Sequence, residues 1–197
     1  MNQEFRIAIF ASGGGTNAEE IIKYFDGDLH VSVRMVLTNN PNAFVLERAK
    51  KFNIPTRVFT REEYASATIV SYLQEHHITH IVLAGFLWLI PESLVKAYPD
   101  RIINIHPALL PKFGGKGMYG MKVHELVRNM NEIETGITIH LVNDKYDEGK
   151  VLYQAKCEVL STDTPQQIAH KVHQLEYACY PKVIEKWIFN DLGNMKF

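Results

Sequence analysis

The chain has 197 residues, with 21 Lys and Arg against 22 Asp and Glu and a formal net charge of -1. This length suits one domain that buries roughly 70% of its unfolded surface, and the balanced charge gives no reason to expect a nucleic-acid partner. Cys157 and Cys179 lack C-x-x-C spacing and read as reduced thiols of an intracellular protein, with no disulfide or metal role. The opening MNQEFRIAIF has no basic stretch ahead of an apolar core, and the longest apolar run, IVLAGFLWLI, falls short of the ~20 residues that span a bilayer. A soluble, cytoplasmic chain without a membrane partner is expected.

Taken in chain order, apolar runs alternate with amphipathic stretches. FRIAIF (5–10) reads as a buried strand, followed by a glycine run and a helix from Thr16 or Asn17 to Phe25. VSVRMVLTN (31–39) is the next strand, AFVLERAKKF (43–52) a helix and TRVFT (56–60) a short strand. REEYASATIVSYLQEHH carries apolar residues at helical spacing and predicts one helix. HIVLAGF (80–86) is nearly continuous in apolar residues, as a strand covered on both faces should be.

PESLVKAYP predicts a short helix with Pro91 near its start and Pro99 past its end. RIINI is a strand, 121–130 a helix, and TGITIHLV (135–142) alternates like a strand, with KVLYQAKCEV (150–159) as its hairpin partner. The tail from Thr164 to Asn190 gives one or two amphipathic helices. Strand–helix alternation in the first half predicts an α/β fold with a single doubly wound, mainly parallel, Rossmann-like sheet. The short polar link between the last two strands predicts an antiparallel C-terminal addition. No repeat or linker interrupts the chain, so residues 1–197 are expected to form a single domain.

FASGGGTNAEE joins the first strand to the first helix. Glycines permit close backbone approach, and a helix amino terminus offers unpaired N–H groups and partial positive charge, which together suit a phosphate. No Lys-Ser/Thr follows, which excludes a P-loop, and the second strand ends in LTNN without the acidic residue that holds a dinucleotide ribose. A single phosphate fits better. A tight turn capped by Thr16 or Asn17 would account for some of these glycines.

In NIHPALLPKF, Asn104 and His106 lie two positions apart on a strand, so both side chains leave the same face, and Pro107 ends the ladder. Downstream, HLVNDKYDEG offers His140, Asn143, Asp144, Asp147 and Glu148 around a turn, where turn chemistry alone would explain the aspartates. A carboxylate reaching His106 would fix its tautomer and favour its imidazolium. No elbow of the G-x-S-x-G type supports a covalent nucleophile. His170, His173 and Glu176 share a helix face, a spacing open to a metal but equally to hydrogen bonds with a sugar or phosphate; no metal is expected.

SGGGTN, IVLAGF, NIHPALLPKF and DKYDEG, in this order, resemble the formyltransferase family that uses 10-formyltetrahydrofolate. The resemblance covers almost the whole chain. It implies small-molecule substrates, with a formyl group passing from 10-formyltetrahydrofolate, as co-substrate, to the amine of glycinamide ribonucleotide in purine synthesis, by a monomer or homodimer. Asn104, His106 and Asp147 match the catalytic trio, and Gly15, Thr16 and Asn17 the segment that holds the substrate phosphate. His173 and Glu176 match further ribonucleotide contacts. Leu87, Trp88, Leu89 and Ile90 match the segment whose backbone holds the folate pterin. Asn143, Asp144 and Asp147 form its other wall, with Asn104 and Arg61 as further folate contacts. Trp88 stands where the family is often basic, and GGKGMYGMK after Phe113 is longer and richer in glycine than the family pattern.

The implied chemistry is direct attack of the amine on the formyl carbon. Asn104 and a protonated His106 donate to the developing oxyanion, while Asp147 holds the imidazolium and relays a proton. Relatives acting on methionyl-tRNA or hydrolysing the formyl folate carry additional domains, and a chain of this length is expected to be neither. A non-catalytic nucleotide-binding module and a metal-dependent hydrolase are the alternatives from other classes.

Overall fold

FRIAIF forms β1 (Phe5–Phe10), whose last four residues are inaccessible to solvent, as expected for a strand covered on both faces. The computed structural model describes residues 4–194 and divides into two units, one running to Asn104 and the other starting at Ile105. The described strands form one mixed seven-stranded sheet in the order β3-β2-β1-β4-β5-β6-β7, mainly parallel with an antiparallel carboxyl-terminal pair. This is the α/β architecture that the alternating pattern predicts.

In the first unit β1 is followed by α1 (Thr16–Tyr24), β2 (Val31–Thr38), α2 (Val45–Lys51) and β3 (Thr56–Val58). Next come α3 (Arg61–Ala65), α4 (Thr68–Glu75), β4 (His80–Leu83), α5 (Glu92–Ala97) and β5 (Ile102–His106), and the division between units falls inside β5. β1 pairs in parallel with β2 on one side and β4 on the other, so the winding reverses between β1 and β4. Open α/β sheets bind ligands at such a reversal, beyond the carboxyl ends of the strands.

Two expected elements depart most from their patterns. The helix expected over 61–77 breaks at Ser66, whose backbone is extended at φ -92° and ψ 177°. Its hydroxyl donates to the Glu63 carbonyl and accepts from the Thr68 amide, a local alternative to helix bonding that serine readily takes. The strand expected over 80–86 stops at Leu83, because Gly85 adopts φ +75° and turns the chain.

The second unit holds α6 (Met121–Asn129), β6 (Glu134–Leu141), β7 (Val151–Glu158) and α7 (Pro165–Ile188). The tail forms this one long helix, started by a capping box in which Thr164 and Gln167 bond each other's backbone. β6 and β7 pair antiparallel. Gly136 in β6 faces the Ala155 carbonyl and Leu109 so closely that any Cβ would collide with backbone. No helix among the described residues is long and apolar enough to cross a membrane.

Gly136→Ala should therefore lower stability by about 2 kcal/mol or more, the scale of overpacking a full site, as a fall in urea midpoint. Burial pushes two histidines down to about 4, His80 in β4 and His124 in α6. An unfolded histidine titrates near ~6.5, so below that pH the unfolded chain binds more protons than the folded one. Stability should be full above that pH and fall as pH drops toward 4, and His80→Gln should make the decline in urea midpoint shallower.

Candidate active site

At the reversal point in the first unit, Ser12 ties two loops together. Its amide donates to the Gly85 carbonyl at 3.0 Å, and its hydroxyl accepts from the Leu87 amide at 3.0 Å and donates to Asn39 Oδ1 at 2.7 Å. The glycine run that follows is held from one side by α2. The Val45 amide donates to the Gly13 carbonyl at 3.1 Å and Arg48 Nε to the Gly14 carbonyl at 2.7 Å, while the Arg48 guanidinium also pairs with Glu19.

Gly15 is needed twice over. It adopts φ +72°, and a Cβ there would run into Val45. Gly15 is also the N-cap of α1, with no side-chain cap, so neither Thr16 nor Asn17 closes the helix end. Thr16 and Asn17 are half-buried in the first turn. The uncapped amides and the helix dipole there suit an anion.

The 87–90 segment leaves Leu87 and Leu89 exposed at 44% and 39% while Ile90 is buried. Trp88 packs edge-on or tilted against Phe59, Tyr64 and Phe86, and the Tyr64 hydroxyl donates to the Leu89 carbonyl at 3.1 Å. The Arg61 guanidinium lies 4.9 Å from the Trp88 ring centroid. The chain thus keeps a cation beside this segment although Trp88 occupies the often-basic position.

Asn104, half-buried, and His106, buried, both lie in β5, two positions apart on one side of the strand. The loop after them is pinned by Thr138 of β6. Thr138 Oγ1 donates to the Ala108 carbonyl at 2.7 Å and accepts from the Leu110 amide at 2.9 Å and from Gln154 Nε2 at 2.8 Å. Gln154 also donates to the Leu110 carbonyl at 3.1 Å. Further along, Phe113 packs against Val127, Val159 and Ile168. This anchors the carbonyl that accepts from His106 Nε2 at 2.8 Å.

The other ring nitrogen, His106 Nδ1, faces Asp147 Oδ2 at 3.5 Å. Asp147 adopts φ +56° at the end of the polar turn, a conformation that costs a non-glycine residue and recurs at functional sites. Its Oδ2 accepts from the Gly115 amide at 2.8 Å, and its Oδ1 lies 3.6 Å from His140 Nε2. His140 Nδ1 is turned toward the Leu141 carbonyl at 2.8 Å. A half-buried carboxylate therefore sits among two imidazoles and a backbone donor.

Burial alone would raise the Asp147 carboxyl, but the His140 bond, the charge of His106 and the Gly115 amide together hold it below its ordinary value. His106 behaves differently. Burial lowers it, and although Asp147 and the Phe113 carbonyl push the other way, the net direction remains down. Acceptors on both ring nitrogens suit a cation, yet desolvation outweighs them. Asp147 and the Phe113 carbonyl favour the imidazolium, and burial opposes it.

Asn143 and Asp144 open the turn that Asp147 closes. Asn143 Oδ1 accepts from the Lys145 amide at 3.0 Å, and the Asp144 side chain is exposed. On α7, His173 is exposed and Glu176 is buried, the only charged residue on the helix's buried stripe. His124 lies 6.4 Å from His173, edge to face; its Nδ1 is buried without a hydrogen-bond partner, and both His173 and His106 disfavour its protonation. Among the described residues, no cluster of His, Cys, Asp or Glu has the form of a metal site.

Several residues that build the site were given no role from the sequence, His140 among them although it was noted beside the polar turn. His140 and Thr138 were signalled by sharing one face of an alternating strand. Ser12 was signalled only by its place at a strand end, and His124 by being a polar residue on the buried face of α6. Gly115 acts through its backbone amide, for which a sequence carries no side-chain signal.

The sequence pattern of the formyl transferase family matches residues 5–184. The phosphoribosylglycinamide formyltransferase of Bacillus subtilis is 35% identical over 92% of this chain and 93% of its own length. A chloroplastic protein of the same name from Arabidopsis thaliana is 39% identical over 91% of this chain, which spans only 64% of that relative's length. The crystal structure of phosphoribosylglycinamide formyltransferase from Anaplasma phagocytophilum superposes with a TM-score of 0.86 at 33% identity, covering 95% of this chain and 89% of the other. With its sheet order and match across nearly all its length, the chain belongs to the formyl transferase family.

Proposed function

We propose that this protein is a phosphoribosylglycinamide formyltransferase, transferring the formyl group of 10-formyltetrahydrofolate to the amine of glycinamide ribonucleotide in purine synthesis. The pairing of buried His106 in β5 with half-buried Asp147 in the polar turn carries the reading. The names of the relatives support the substrate assignment. In this reading residues 1–197 work as one domain in the cytoplasm, on two small molecules, as a monomer or homodimer, without metal, nucleic acid or membrane.

The reaction needs a donor for the formyl oxygen, a proton acceptor for the attacking amine and a proton for the departing folate nitrogen. Asn104 Nδ2 is one donor to the oxygen. The second is His106 Nε2, which exchanges the Phe113 carbonyl for the formyl oxygen as substrate enters. A neutral imidazole can make that bond, and the negative charge growing on the oxygen offsets the burial penalty on the imidazolium. His106 is then most favoured as a cation in the transition state, where the stabilisation accelerates chemistry. Asp147, held ionised by His140 and the Gly115 amide, accepts the proton of the attacking amine, directly or through water, and returns one to the folate nitrogen.

The remaining roles follow the family resemblance. The uncapped first turn of α1, from Gly15 through Thr16 and Asn17, takes the ribonucleotide phosphate, and His173 and Glu176 take its polar groups. Leu87, Trp88, Leu89 and Ile90 present backbone to the pterin, with Asn143, Asp144 and Asp147 as its second wall. Arg61 supplies a cation for the acidic tail of the folate.

His106→Ala and Asp147→Asn should each cut kcat by about 100-fold or more, the scale of losing a preorganised catalytic group, with ribonucleotide affinity nearly intact. The readout is tetrahydrofolate release in the presence of glycinamide ribonucleotide; near-normal turnover in either variant would remove the assigned trio. Thr16→Asp adds a negative charge that favours the helix end but repels a phosphate. It should raise the KM for the ribonucleotide about tenfold, with the folate KM unmoved. An unaltered ribonucleotide KM excludes phosphate binding there.

A further inference from the structure

The pairing of β1 with β2 leaves one residue over. Ile7 pairs with Val33 and Ala8 with Met35, so Arg34 is an extra residue in β2. A bulge bends its strand and re-aims the side chain it carries, and bulges gather beside functional sites. Arg34 lines a cleft of about 480 Å³ whose other walls come from the start of β1, the link into β3 and the end of α4. The glycine run follows the opposite end of β1, so this cleft is separate from the phosphate site assigned there.

The cleft has two kinds of surface. Val33 and Met35 are buried beneath it, with Ile54 and Pro55 beside them, giving an apolar base. Arg34, His76 and His77 are exposed at its mouth, joined by the half-buried Arg6. Among the described residues Glu4 is the carboxylate that answers the two arginines. It accepts from Arg6 Nε and Nη2 at 3.2 and 2.9 Å, and its carboxyl is lowered first by Arg6 and more weakly by Arg34. Arg34 makes no hydrogen bond or ion pair among the described residues, leaving an always-charged, forked donor at the mouth.

One wall is already rigid. His76 Nδ1 is held by the Tyr72 carbonyl at 2.8 Å, its ring lies 4.2 Å from the Tyr72 ring, and the Arg57 guanidinium covers Tyr72 at 3.9 Å. Arg57 is itself neutralised by Glu63 at 2.7 Å. An apolar base, a few convergent polar groups and a volume within roughly 300–1,000 Å³ are the attributes of a small-molecule site. Glu4 answers one of the two guanidinium groups, so the pair keeps one net positive charge at the mouth, which suits an anion.

We propose that this cleft is a second ligand site, taking a small ring-bearing phosphate of nucleoside monophosphate size. Its phosphate is bound by Arg34 and Arg6, and its ring lies on Val33 and Met35 against the His76–Tyr72 wall. The site stands apart from the formyl-transfer reading and survives if that reading fails.

The test is calorimetry of the full chain carrying Thr16→Asp, which suppresses anion binding at the glycine run, with adenosine monophosphate, adenosine and inorganic phosphate as probes. Adenosine monophosphate should bind saturably, and each half-molecule about tenfold or more weaker. Adding Arg34→Ala should weaken the nucleotide about tenfold, the value of a charged hydrogen bond. In the wild-type chain, amide shifts on titration should include Arg34, Asn53 and His77. Absence of saturable binding, equal affinity for inorganic phosphate, indifference to Arg34→Ala, or shifts confined to the glycine run would each overturn the proposal.

Discussion

A carboxylate removed from water must be compensated where it stands, and the second unit is organised around that requirement at Asp147. Three groups answer it: the imidazole of His140, the imidazole of His106 and the amide of Gly115. Each comes from a different stretch of chain, so each stretch is constrained by the same ion. β6 must carry a histidine inward, the loop after β5 must bring a bare amide into range, and the polar turn must accept a left-handed aspartate. Breaking such an arrangement at one member leaves an uncompensated charge, which costs far more than the net worth of any single contact.

The same loop serves packing and chemistry together. Thr138 and Gln154 together hold its first part through three hydrogen bonds, and Phe113 buries its ring in a small apolar cluster. Between these anchors the chain has little freedom, so the Phe113 carbonyl and the Gly115 amide are placed on opposite partners of the same pair, one on His106 and one on Asp147. The glycine-rich sequence that departs from the family pattern is thus part of the site's support at its beginning. Gly114 lies so close to Leu110 that a larger residue would force that side chain aside.

Much of the framework was legible because burial on both faces leaves continuous apolar runs, as in FRIAIF, and because β6 alternates. What escaped had no periodic signature. Ser66 breaks a helix by its own hydroxyl bonds, and Ala67 beside it is a good helix former, so the pattern of apolar residues runs through the break unaltered. The pairing of His106 with Asp147 rested on family resemblance, since no spacing rule joins residues so remote in sequence. The burial of His106 had no signature for another reason. A sequence shows a carboxylate partner, but not how completely the ring is removed from water.

The bond from His106 to the Phe113 carbonyl makes the protein its own competitor. A ligand oxygen that engages this imidazole must displace an acceptor already in good geometry, so part of its intrinsic affinity is consumed by that exchange. The carbonyl belongs to a residue whose ring is embedded among Val127, Val159 and Ile168, so its position is tied to the packing of α6 and the start of α7. Substitutions deep in that apolar cluster gain a route to alter selectivity while every polar residue of the site stays in place.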